Sequence, residues 1–229
     1  MKRTGFLCLA LVAVLSAGCS NERRDTAANR PAGDAVGTSG AADKNLSRSD
    51  KDFLTDAATA NMAEIELARL TNDHAANAEV KTFAQMMIDD HTKALNDLKA
   101  LASTHSIALP TALDDKHNDL RDKLSKAQGN DFDRDYTKTM VDGHQDFVDK
   151  LESRIDKTKL ADWKKEMAER GSKGAVMERG QLTAVTPEKS DNPITMAINE
   201  WAAKTYPVAY AHMEAAKALD KTVRNRSTN

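Results

Sequence analysis

Apolar side chains recur every three or four residues in four long stretches of this sequence, and that is the helical period. The first stretch carries Phe53, Ala57, Ala60, Glu64 and Leu67, with Leu54, Ala58, Ile65 and Ala68 beside them, and predicts a helix over about 50–74. Ser49-Asp50-Lys51-Asp52 precedes it with an N-cap oxygen and first-turn acids. A second helix starts at Asn77 and carries Val80, Phe83, Ala84, Met87, His91, Ala94, Leu98 and Leu101, ending near Ser103, ahead of Pro110. The third, from about Asp131, carries Phe132, Tyr136, Met140, His144, Phe147, Leu151 and Ile155. The fourth opens on Pro193 and carries Ile194, Ile198, Trp201, Thr205, Val208, His212, Ala216 and Leu219. Pro207 lies inside it and predicts a kink that frees the carbonyl of Ala203 from its usual N–H partner.

The connections read differently. Leu113, His117, Leu120 and Leu124 predict a short amphipathic helix that covers one end of the bundle and is closed by Gly129. Residues 159–192 break the period: Gly171, Gly174, Gly180 and Pro187 punctuate a charged stretch in which only 161–170 is briefly helical. The fold expected is therefore all-α: an up-down-up-down four-helix bundle over 49–222, with a short extra helix and an irregular excursion over 159–192 before the last helix. Composition agrees, since only 4% of residues are aromatic and 10 are Gly, which disfavours a β-sandwich or a glycine-looped nucleotide fold. A formal charge of -2 supplies no basic field for a nucleic acid. Phosphate loops, nucleophile elbows and His-Glu-x-x-His pairs are absent from the sequence, and the dispersed methionines read as core filling.

The N-terminus predicts export. Lys2 and Arg3 precede an apolar run over 5–15, about half of the roughly 20 residues that cross a bilayer as a helix. Leu15-Ser16-Ala17-Gly18-Cys19 resembles the lipobox of bacterial lipoproteins. That resemblance implies a signal peptide over 1–18, lipid on Cys19, and a mature chain held to a membrane by that lipid. Ser20, where Asp would signal retention, implies the periplasmic face of the outer membrane. Cys8 leaves with the signal and Cys19 carries lipid, so cysteine chemistry is excluded from the domain. Residues 19–48 read as a flexible tether, because Val36 is the only large aliphatic residue over 20–45.

Glu64, His91, His144 and His212 each stand inside an apolar stripe. At about 1.5 Å per residue they lie roughly 20, 20, 20 and 27 Å along their helices, so all four reach the middle of the bundle. Imidazole nitrogens and a carboxylate suit Zn²⁺, Fe²⁺, Mn²⁺ or Cu²⁺, and a divalent transition metal is the one cofactor the residues suggest. Asp90, Asp142 and Tyr136 are the expected supports behind the ligands, with Asp89 and Asp146 also near. A di-iron oxidase is disfavoured, because the residues three before His91, His144 and His212 are Ile88, Val141 and Ala209 rather than glutamates. The alternative is a buried Glu–His hydrogen-bond network that fixes helix register. His74, His105 and His117, near helix ends, read as solvated or capping.

Phe53, Ala57, Ala58, Glu64-Ile65-Glu66-Leu67, Val80-Lys81, Phe83-Ala84, Met87-Ile88-Asp89-Asp90-His91, Phe132-Asp133, Tyr136, Met140-Val141, His144, and Pro207 with His212 together resemble the bacterial envelope family known as domain of unknown function 4142. The resemblance covers about 50–158 and 194–220, implies a ferritin-like bundle, and loosely suggests envelope stress tolerance. Residues 159–192 depart from that family's usual short connection. The family name confers no activity. The function expected is a lipid-anchored periplasmic binding or interaction module, more a binder than an enzyme, whose protein partner or small ligand stays open. Its alternative is a metal-binding or metal-dependent redox protein built on the mid-bundle His/Glu layer.

Overall fold

The computed structural model describes residues 46–170 and 184–226. The expected signal peptide, Cys19, the tether as far as residue 45 and residues 171–183 of the excursion lie outside the described residues.

Six helices account for most of the described residues: α1 Arg48–His74, α2 Ala78–Thr104, α3 Asp115–Leu124, α4 Gly129–Glu152, α5 Lys157–Arg170 and α6 Pro193–Arg226. Side-chain oxygens satisfy first-turn N–H groups at their starts: Ser47 for Asp50, Asn77 for Glu79, Asp114 for His117 and Asn192 for Ile194. The cap of α1 is thus Ser47, two residues before the serine expected. Gly129 opens α4 rather than closing α3, and its φ of +61° is the left-handed turn that a side chain would strain.

The bundle is ferritin-like, but its directions do not alternate strictly along the chain. Arg154 after α4 and Thr195 at the start of α6 both reach Asp50 at the start of α1, which marks the near end. His74 at the close of α1 stacks on Phe132 at the start of α4, and Arg226 pairs with Glu79, which marks the far end. So α2 and α4 both run from far end to near end, and the order is up-down-down-up. The connection between them has to climb the bundle, and that is why α3 lies along its side rather than over one end. Arg121 of α3 reaches Glu66 at mid-height on α1 at 3.2 Å.

The excursion is more ordered than its sequence pattern suggested. Leu160, Trp163 and Met167 give α5 a short apolar stripe; Leu160 and Trp163 are buried in the near-end core, and Trp163 meets Tyr206 edge-on with centroids 5.4 Å apart. Residues 184–192 then strap across α4 and α6. The Ala203 carbonyl that Pro207 frees accepts from Val185 N–H at 3.3 Å, and Arg154 O accepts from Glu188 N–H at 2.9 Å.

The core is split in two. Phe53, Leu98, Leu151, Ile198 and Trp201 belong to the near-end apolar cluster, and Val80, Phe83, Phe132, Met140 and Val223 to the far-end one. Burying each such side chain contributes about 1.5–3 kcal/mol. The gap between the clusters holds buried polar groups.

Candidate functional site

His91 on α2, His144 on α4 and His212 on α6 are all buried in that gap. Their ring centroids form a near-equilateral triangle of 5.3, 5.5 and 5.5 Å, and one ligand nitrogen from each lies within 4.8 Å of the other two. Each stripe turns its polar member inward at the same height, so the parallel pair α2 and α4 and the antiparallel α6 deliver three imidazoles to one place.

What surrounds the rings decides which nitrogens carry protons. Asn61 donates its amide to the Ala57 carbonyl at 2.7 Å, which turns its Oδ1 toward His91 Nδ1 at 3.0 Å. His91 Nδ1 therefore carries the proton. His144 Nδ1 donates to Met140 O at 2.9 Å, and His212 Nε2 donates to Asp90 Oδ2 at 3.0 Å. A neutral imidazole has a single N–H, so His91 Nε2, His144 Nε2 and His212 Nδ1 are left with bare lone pairs. The first two stand 3.3 Å apart, and the third has no hydrogen-bond partner among the described residues.

Added protons do not resolve the clash near neutrality. Burial, then repulsion from His144 and His212, holds His91 well below the usual histidine range, and burial lowers His144 to about 3. A void of about 10 Å³, the size of one water or ion, touches Asn61, Asp90, His91 and His212.

Glu64 lies outside the histidine triangle. Its Oε1 is 3.6 Å from His144 Nδ1, on the protonated side of that ring, and its Oε2 has no partner among the described residues. Burial pushes its carboxyl up to about 8. Tyr136, fully buried with a hydroxyl that has no partner among the described residues, is raised by burial and then by the charge of Glu64. Asp90 stands behind His212, accepting from its Nε2. Asp142 does not stand behind any of the three rings: it is exposed and pairs with Lys138 at 2.5 Å. Asp89 and Asp146 are likewise exposed. His74 meets Ala127 O, the backbone of His105 caps α2, and His117 meets Asp114.

Asn61 is the residue that the sequence reading passed over. It is fully buried and orients His91. Its signal is there, because Leu54, Ala58, Asn61, Ile65 and Ala68 form a second stripe with one polar member.

Fold and site together define a ferritin-like helical bundle with a buried three-histidine centre. The chain belongs to the family described as Domain of unknown function (DUF4142), whose profile matches residues 35–177. His91 and His144 lie inside that span and His212, on α6, lies beyond it. No curated protein and no solved structure matches the chain.

Proposed function

We propose that this bundle is a membrane-anchored binding module whose ligand is a divalent transition-metal ion held by His91, His144 and His212. The observation that carries the reading is that one ring nitrogen of each of the three buried histidines lies within 4.8 Å of the other two, with the bare Nε2 atoms of His91 and His144 3.3 Å apart. A hydrogen-bond network would leave them unsatisfied, and a buried polar group without a partner costs about 1–3 kcal/mol. A cation is the species that turns three facing lone pairs from a cost into bonds. Asn61, the Met140 carbonyl and Asp90 orient the rings from outside, as groups behind metal-bound histidines do. Bound there, the ion would supply Lewis acidity and a positive charge among the rings. Deep burial favours retention, as in a carrier or sensor, over turnover.

Anchoring rests on Lys2, Arg3, the short apolar run and Leu15-Ser16-Ala17-Gly18-Cys19, and its proposed site is the periplasmic face of the outer membrane. Labelling cells with a fatty acid analogue tests it: wild type should take the label and Cys19→Ala should not.

The metal reading is tested by elemental analysis of protein purified without an affinity tag, then by calorimetric titration with Zn²⁺, Fe²⁺, Mn²⁺ and Cu²⁺. One ion per chain is expected for at least one metal, and His91→Ala and His144→Ala should each abolish it. Absence of both bound ion and heat sinks the reading.

A further inference from the structure

Between α1, α4 and the crossover helix α3 lies a cleft of about 420 Å³, within the range of small-molecule pockets, and the histidine centre does not use it. Part of its lining is apolar, from Ala63, Leu67, Leu120 and Phe147. Among them sits Glu64, which is 8% exposed, and no described group donates to its Oε2. Gly143 makes room for this carboxyl, since a Cβ there would stand 2.9 Å from Glu64 Oε1. The terminal torsion of a glutamate is soft, so either oxygen can turn toward a donor arriving from the cleft. Around the lining, Asp56, Asp114, Asp142 and Asp146 outnumber Lys116 and Lys150. Asp56, Asp142 and Asp114 are met by Lys150, Lys138 and His117, whereas Asp146 makes no ion pair among the described residues and adds its charge to the cleft.

An apolar lining, an orphaned buried acceptor and an excess of carboxylates have one complement. We propose that this cleft binds a small organic cation, a protonated amine on an apolar body, with the ammonium donating to Glu64 and the body lying against Leu67, Leu120 and Phe147. The hydrogen bond does not depend on the charge of Glu64, because a protonated carboxyl still offers its carbonyl oxygen. The site is independent of the metal reading and is tested on metal-free protein.

The experiment is calorimetric titration of the full chain with 2-phenylethylammonium, alongside 2-phenylethanol and 3-phenylpropionate. Saturable one-to-one binding of the amine is expected, with the alcohol at least about tenfold weaker, as befits loss of a charge-assisted hydrogen bond. The carboxylate should not bind. Glu64→Leu, which removes the acceptor, and Gly143→Ala should each weaken the amine by about tenfold or more, with circular dichroism reporting whether each variant is folded. Asp146→Asn, an exposed change that leaves the fold alone, should weaken it by about threefold through loss of one nearby charge. Absence of saturable heat from the amine, equal binding of the alcohol, or an amine affinity untouched in folded Glu64→Leu would each overturn the proposal.

Discussion

Two buried polar sites in this bundle look alike by burial and differ in their bookkeeping of protons. At the near end, Asp50 accepts from Ser47 Oγ and Thr195 Oγ1, each at 2.8 Å, and from Arg154 at 2.5 Å. Arg154 also donates to Ser49 O at 2.7 Å and lies 4.6 Å above the Phe53 ring. Donors match acceptors there, so the site is complete and ties the start of α1, the end of α4 and the start of α6 together. At mid-height the outer nitrogens of three histidines are matched and the inner three are not. A closed network reads as architecture, whereas an open one with converging lone pairs reads as a place for a ligand.

The comparison breaks most visibly at the clamp. Asp50→Ala leaves the Arg154 guanidinium buried without its carboxylate, and the expected loss is about 3–5 kcal/mol, read as the fall in denaturant midpoint. Burial alone would raise the Asp50 pKa, but the hydrogen bonds and charge around it hold it below 3.8. Its contribution is therefore full above pH 3.8 and lost as pH falls through the folded value. The gap between wild type and Asp50→Asn in melting temperature should accordingly be widest near neutrality and narrow below about pH 3.8.

Next in size is the effect of metal. An ion bound only to the folded state at one hundred times its Kd adds about 2.7 kcal/mol, roughly 5–10 °C in Tm for a domain of this size. Thermal melts with and without ion should show the same increment in Asp50→Ala, because the two sites share no partners. Loss of the increment in the clamp variant would mean that the sites are one network.

Asn61→Ala sharpens the distinction further. It orphans His91 Nδ1–H, with an expected cost of about 1–3 kcal/mol in metal-free protein. It should also weaken ion binding by about 10–100-fold in calorimetry, since the ring loses its orienting partner. Asp142→Asn is the smallest change: an exposed pair is removed, stability should move by less than about 1 kcal/mol, and ion affinity should stay as it was.

The helices, their stripes and the mid-height histidines were legible because side-chain period and rise per residue are local quantities. Direction was not: the stretch between Thr104 and Gly129 is long enough to end at either end of the bundle, and only contacts such as His74 with Phe132 decide which. Asp142 looked like a neighbour of His144 in sequence, but two residues along a helix turn a side chain about 200° to the opposite face. Pro207 announced a free carbonyl at Ala203, whereas its partner, Val185, lies in a stretch without period and had no local mark. The tautomers were out of reach entirely, since they depend on Asn61, Met140 O and Asp90 meeting the rings in space.

The central claim, that three imidazole lone pairs face one another and await a cation, is tested most directly by ¹⁵N NMR of the histidine rings at neutral pH with and without Zn²⁺. The account predicts protonated Nδ1 on His91 and His144 and protonated Nε2 on His212, with the three bare nitrogens shifting together as one equivalent of ion is added. A proton on Nε2 of His91 or His144 in the metal-free protein, closing the 3.3 Å contact as an ordinary hydrogen bond, or bare nitrogens that ignore the ion, would contradict it.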